Sequence, residues 1–264
     1  MGKLAGTVRR ILGSWLPYSF DAATAGPGSD GRRAGRAMGL FGRKRKDEPA
    51  EPPATDVAAT EDDDSAPGWD AITAAFAALY PEQPEPLHMG TLIKWSFGGP
   101  DPLDGISIYR APDALHFVTY GFSDLYTKES TDPEHSGFGF ELTLKLRPAP
   151  GADEDQEMRT ACVNLQGLAR YVFESGMVFE PGEYIYTGQE AGIDAGHASA
   201  LTGFLTTLDT AGEIDTPHGR VTFVQLVGAT DAELRAIVDK RHTATEMLEL
   251  IGSDVTDLGR ASVV

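Results

Sequence analysis

The sequence predicts a single α/β domain of the α+β kind, in which a central mixed β-sheet is flanked by helices, behind a disordered N-terminal tail. Three observations predict it. Residues 115–147 hold two runs of alternating apolar and polar residues. In the second, Phe138, Phe140, Leu142, Leu144 and Leu146 alternate with Gly139, Glu141, Thr143, Lys145 and Arg147, the pattern of a half-buried strand. Residues 155–175 instead place Met158, Cys162, Leu165, Leu168 and Val172 at helical spacing. Finally, helical patterns precede, interrupt and follow the strand patterns, so helices pack on a sheet.

Taken in order, the chain begins with a tail over 1–66, where Gly, Ala, Pro, Arg and acidic residues dominate and too few large apolar side chains are present to offset ordering entropy. Within it, VRRILGSWLPYSF and the small residues Ala23, Thr24 and Ala25 have the outline of a secretory signal, but Ser14, Pro17 and Ser19 interrupt the apolar run. MGLFGRKRKDEPAEPP has the character of a protein start, so translation is expected to begin at Met38, with 1–37 as GC-rich upstream sequence read in frame. The folded domain is expected over 67–264. A helix over 69–80 puts Ile72, Phe76 and Leu79 on one face, and Pro81 stops it. PEQPEP is a rigid connection, and Ile106 and Ile108 alternate with Ser107 and Tyr109 as a short strand after the GGPDPLDG loop.

Leu115, Phe117 and Thr119 then alternate with His116, Val118 and Tyr120 as a further strand. The polar connection 123–136 follows, of a length that is usually functional or mobile. Gly176 is placed to cap the long helix in the left-handed conformation. GEYIYTG, 182–188, is a short strand with Ile185 facing opposite to Tyr184 and Tyr186, and 204–208 is another. The run 221–227 is apolar on both faces, as a central strand covered on both sides requires, and TPHGR turns the chain into it. Thr230 with Glu233, and Thr243 with Glu246, are spaced as capping boxes of two final helices.

Composition narrows the function. With 41% hydrophobic and 23% charged residues in 264, the chain has enough apolar material for a sizeable core, yet no apolar run approaches the roughly 18 residues a membrane span needs. The lone cysteine, Cys162, allows no internal disulfide and falls among helical core positions. Net charge is −18 but unevenly spread. Residues 1–46 carry 10 basic and 2 acidic side chains, 47–66 carry 8 acidic ones, and 67–264 carry 12 basic against 30 acidic. A field of that sign repels nucleic acid and anionic lipid and attracts basic partners.

Familiar catalytic signatures are missing: there is no GxSxG, GxxxxGK[ST] or HExxH. Asp101 and Asp104 suit the turn they sit in, and His116 on a strand suits a hydrogen-bonded structural role. Glu129, Asp132, Glu134 and His135 form an acidic set without metal-ligand spacing. No cofactor and no metal is expected. What the sequence offers instead is a short tyrosine-bearing strand, GEYIYTG, with no obvious neighbour, suited to receive an extended peptide as an added strand.

YGFSDLY followed by SGFGFELTLKL resembles the signature of the Suppressor of Fused domain family. LYPEQPEPL, GGPDPLDGISIYR, QGLARYVFESG and TPHGRVTFVQLVGAT extend the resemblance in family order over roughly 69–260. It implies the fold above and a protein-binding role. In the animal member this domain is the first half of a clamp that holds a transcription-factor peptide by strand addition. The contacts it implies fall on Tyr171 of ARYVF and on Glu183, where that member has Asp. Tyr184, Tyr186, Asp124 and Tyr126 complete the expected protein-binding set. Bacterial members are regarded as cytoplasmic immunity proteins that neutralise polymorphic toxins, and that is the function expected here, with a basic toxin domain or extended peptide as partner. The alternatives are a signalling or chaperone-like adaptor that holds a peptide strand, and a hydrolase or metal-dependent enzyme using the acidic loop 129–135.

Overall fold

The structure is a computed structural model describing residues 65–92, 95 and 99–264. The expected tail up to residue 64, with the signal-like segment and Met38, lies outside the described residues. Helix α1, Pro67–Leu79, begins two residues before the predicted start, because Pro67 sits at the first helical position, where a missing N–H costs nothing. It buries Ile72 and Phe76 completely, each contributing roughly 1.5–3 kcal/mol by removal from water.

Among the described residues, eight strands form one sheet in the order β1-β2-β3-β4-β7-β6-β5, and β8 adds to β4. Strands β1 (Leu87–Gly90), β2 (Gly105–Arg110), β3 (Leu115–Tyr120) and β4 (His135–Arg147) pair antiparallel with one another in that order. Strands β5 (Tyr184–Ile185), β6 (Leu201–Thr216) and β7 (Gly219–Thr230) form a second antiparallel set. Parallel pairing of β4 with β7, Phe140 opposite Thr222 through Leu144 opposite Leu226, unites them. The sheet is therefore mixed, as expected, and α2 (Glu154–Ser175) provides the crossover between its halves. Asp153 caps α2 by accepting from the Gln156 N–H, and Gly176 ends it at φ 69°.

The two faces differ. Helix α2 covers one, packing Leu165, Leu168 and Val172 against Phe140, Leu142, Leu144 and Leu226. On the other, α1 covers Tyr109, Val118, Tyr120 and Phe223. Helices α3 (Asp231–Val238) and α4 (Ala244–Ile251) cover Leu205, Val227 and Ala229. Both of these helices carry complete capping boxes, Thr230 with Glu233 and Thr243 with Glu246. Strand β7 is buried on both faces, as its sequence requires.

Five strands depart from the sequence expectation. Strand β4 is not half-buried: Glu141 and Thr143, on its expected polar face, are fully buried because α1 and the β6–β7 hairpin cover that side. Strand β6 runs to 16 residues rather than five, because past an irregularity at 209–212 its polar end, Glu213 to Thr216, is held by pairing with β7 and not by apolar alternation. Strand β5 shrinks to two residues. The short strands β1 and β8 (Thr256–Asp257) have too few residues to show a period.

The covered polar side chains of β3 and β4 are satisfied. Tyr80 Oη lies 2.7 Å from His116 Nδ1, His116 Nε2 lies 2.9 Å from Asp209 Oδ2, and Thr143 donates to the same carboxylate at 2.9 Å. Burial opposes the charge on Asp209, but the bond to His116 and its charge, the Ala211 N–H and Thr143 together hold its pKa below the ordinary value. The structural reading of His116 is thus what the structure gives. Lys145 bonds Asp254 at 2.6 Å, and Gln225 donates to the Asp254 carbonyl.

Glu141 carries the signature segment. Its carboxylate accepts from Thr119 Oγ1 and Ser123 Oγ at 2.6 Å each, Ser123 N at 2.9 Å and Gly121 N at 3.0 Å. Complete burial outweighs these donors and pushes its pKa up to about 7. A carboxyl whose folded pKa is raised stabilises fully below its unfolded value and loses that contribution as pH rises through 7. The displacement from 4.5 corresponds to about 3 kcal/mol at most. Urea denaturation at pH 5.5 and pH 8 should therefore show the Glu141→Gln variant losing less stability with rising pH than the parent protein. The difference between the two, and not the raw slope, is the quantity to read, since burial lowers the pKa of His88 and contributes with opposite sign. Equal slopes would mean that Glu141 is ionised throughout.

Candidate protein-binding site

Strand β5 closes one edge of the sheet and, among the described residues, pairs only with β6, Tyr184 opposite Leu205 and Ile185 opposite Phe204. The turn before it is built on one buried residue of β6. Thr206, fully buried, donates its hydroxyl to the Glu180 carbonyl at 2.6 Å and accepts from the Glu183 N–H at 2.8 Å. Its backbone accepts from Gly182 N at 2.8 Å and donates to the Glu183 carbonyl at 3.0 Å. Four bonds from a single position thereby fix 180–183 at the sheet's end. Sequence offered no signal for Thr206, since a threonine on a strand is common and its role depends on a turn more than 20 residues away.

The turn brings together two of the expected residues. Tyr171, on the last turns of α2, is partly exposed and stacks against the buried Phe179 with ring centroids 6.3 Å apart. Glu183, also partly exposed, accepts from Glu180 N at 3.1 Å through one carboxylate oxygen. The Tyr171 ring thus packs at the start of the short segment 179–183, and the Glu183 carboxylate stands at its end, where it leads into β5. Tyr184 and Tyr186 are placed differently: both rings turn inward onto the core under α3 and α4. Tyr186 spends its hydroxyl on Asp231 at 2.7 Å, so at these positions the strand offers its backbone and not its rings. Ile185 faces the α2 side, opposite to both tyrosines, as alternation requires.

Asp124 and Tyr126 belong to a separate group at the signature loop. The Asp124 carboxylate accepts from Gly137 N at 2.9 Å and Ser130 N at 3.3 Å. Tyr126 is 39% exposed, and its carbonyl lies 3.1 Å from His218 Nε2 on the β6–β7 hairpin. Lys128 reaches the carbonyls of His135 and His218 at 2.6 Å each. Gly137 has no alternative here, as a Cβ at its φ of 56° would stand 2.4 Å from the Phe122 carbonyl oxygen. The long connection is therefore pinned from both ends. In its acidic set, Asp132 is committed to Glu134 N, His135 N and the His135 ring. Among the described residues no group of three or more His, Cys, Asp or Glu is arranged to hold a metal ion. Asp101 pairs with Arg170 of α2 at 2.6 Å. Burial pushes the Cys162 thiol up to about 12, as suits an inert core residue.

Replacing Thr206 with valine removes the two side-chain bonds that hold the turn, leaving the Glu183 N–H and the Glu180 carbonyl without them. The variant should lose about 1–3 kcal/mol in urea denaturation, with faster hydrogen exchange at Glu183. Thr206→Ser should restore most of it; unchanged exchange in Thr206→Val would show that the turn holds itself.

The family model described as Suppressor of fused protein (SUFU) matches residues 99–261. Suppressor of fused homolog of Homo sapiens is 36% identical over 182 residues, and the Mus musculus protein matches equally; the alignment covers 64% of this chain and 37% of each relative. The chain thus spans little more than a third of the length of these curated relatives. Among solved structures, a chain of the Sufu-Fu complex superposes with a TM-score of 0.65 at 32% identity, over 75% of this chain and 93% of that one. Drosophila Suppressor of Fused gives 0.64 at 31%, over 75% and 51%. With the family model matched across both halves of the sheet, the chain belongs to the Suppressor of fused family.

Proposed function

We propose that the chain is a non-enzymatic protein-binding module that takes an extended, basic segment of its partner along the free edge of β5. The observation that carries this reading is that edge: the last strand of the sheet, paired on one side, with Tyr171 and Glu183 flanking its entry. Unpaired strand edges are templates for strand addition, and partly exposed tyrosines are favoured anchors. The acidic excess of 67–264, 30 side chains against 12 basic, supplies on-rate and selectivity for a basic partner and disfavours nucleic acid.

The partner class that charge favours is a basic toxin domain, which makes the chain an immunity protein of a polymorphic toxin system acting in the cytoplasm. Among the described residues no helix is long and apolar enough to cross a membrane. A second reading, an adaptor that holds a regulatory peptide strand, draws on the relative solved as the Sufu-Fu complex. The reading as an enzyme built on 129–135 draws no support from a loop whose Asp132 is engaged by its own backbone.

The test is capture of partners from the native cells with the full chain at low and high salt, identification by mass spectrometry, and titration of the purified partner. A basic polypeptide released by salt is expected. Tyr171→Ala and Glu183→Lys should each weaken it by about tenfold or more. A toxin domain in that position supports the immunity role, and a regulatory protein supports the adaptor. Affinity unchanged in both variants would remove the β5 edge as the binding surface.

A further inference from the structure

At the end of the sheet opposite β5, beside edge strand β1, a cleft of about 360 Å³ opens against the connection 82–86. Such space holds one water in about 10–15 Å³, so the cleft has room for an entire side chain. Its floor is apolar, made by Ile108 of β2, Leu115 of β3 and Met158 in the second turn of α2, all buried. Leu87 adds to one wall and is 51% exposed. It stands opposite Ile108 in the β1–β2 register and therefore on the same face.

The connection keeps this space open. Pro84 and Pro86 fix its backbone and remove two N–H donors, so it does not continue the β1–β2 ladder. In place of a ladder, the Gln83 side chain bonds the β2 backbone at Arg110, accepting from its N–H and donating to its carbonyl at 2.8 Å each. The length of an amide side chain thus separates the connection from β2.

Charge selects the occupant. Glu82 and Glu85 line the cleft as exposed carboxylates of the connection. Among the described residues the one cation in the lining, Arg110, is already bound to Glu154 at 2.7 Å. Two carboxylates thus remain beside an apolar floor, in a segment, 67–264, with 30 acidic and 12 basic side chains. Lysine and arginine match both parts, since their methylene stems lie on apolar surface while the charged head stays at the wet rim. We propose that the cleft receives one long cationic side chain, lysine or arginine, from a partner polypeptide. This contact goes beyond strand addition at β5 and does not depend on it, because the two sites lie at opposite ends of the sheet.

The test is methyl NMR on the full chain with labelled methionine ε-methyl groups, the Met158 signal being identified by its loss in Met158→Leu. The probes are blocked tripeptides Gly-Arg-Gly and Gly-Lys-Gly, with Gly-norleucine-Gly as an uncharged chain of similar length. The two cationic peptides should move the Met158 signal saturably, and the norleucine peptide should bind about fivefold more weakly or worse. Glu82→Gln combined with Glu85→Gln should weaken the cationic peptides about three- to tenfold. Glu249→Gln, which removes an exposed carboxylate on α4, should leave them unchanged. Equal binding of the norleucine peptide would make the cleft an apolar anchor site and overturn the proposal. An equal loss in Glu249→Gln would assign the effect to the overall field and overturn it as well. If salt alone moves the Met158 signal and no peptide does, the occupant is the chain's own basic segment 1–46 and not a partner. No movement in either case would show that the cleft takes no such side chain. Tyr171→Ala, at the other end of the sheet, should change none of these affinities, so strand addition stands or falls on its own test.

Discussion

The parallel pairing of β4 with β7 is the constraint on which the rest of the structure depends. It is the one junction between two antiparallel sets, β1 to β4 and β5 to β7. A parallel junction needs a crossover, and α2 supplies it over one face of the sheet. It also makes β4 and β7 interior strands, so the opposite face must be covered too. That cover is divided, with α1 over the β2–β3 side and α3 and α4 over the β6 side.

Interior position changes the meaning of the polar residues on β3 and β4. Glu141, Thr143 and His116 would be ordinary solvent-facing residues on an edge strand, but here they are fully buried. Each is matched: Glu141 by four donors at 2.6–3.0 Å, and His116 and Thr143 by Asp209, which reaches them from β6. Buried polar groups add little net stability against an apolar alternative, and removing one partner is costly. Their consequence is register: Glu141 ties the signature segment at Gly121 and Ser123 to β4, and Asp209 ties β6 to β3 and β4 across β7.

The same logic shapes the β5 edge. Thr206 uses its side chain and its backbone to hold the turn at 180–183, and that turn sets Tyr171, Phe179 and Glu183 around the entry to β5. An edge built on a buried anchor would need little reordering if a strand were added there as proposed, which lowers the entropic cost of association. Charge acts at longer range, and on the proposed reading the acidic field would draw a basic partner toward the domain before contact.

By itself the sequence determined the elements whose signals are local. The alternation through Phe138 to Leu146, the helical spacing through Met158 to Val172, the two capping boxes and the all-apolar run of β7 each depend on residues a few positions apart, where side-chain period and cap chemistry operate. The colinear motifs likewise carried the family, and with it the expectation of Tyr171 and Glu183 as contacts. Only the tertiary structure decided which faces are buried, because that depends on what packs above a strand and not on the strand. It turned Tyr184 and Tyr186 inward, buried Glu141, extended β6 through a polar stretch whose end is held by its neighbour, and set Thr206 beneath the turn that leads into the edge strand. Those placements arise from contacts between residues far apart in the chain, and no local period encodes them.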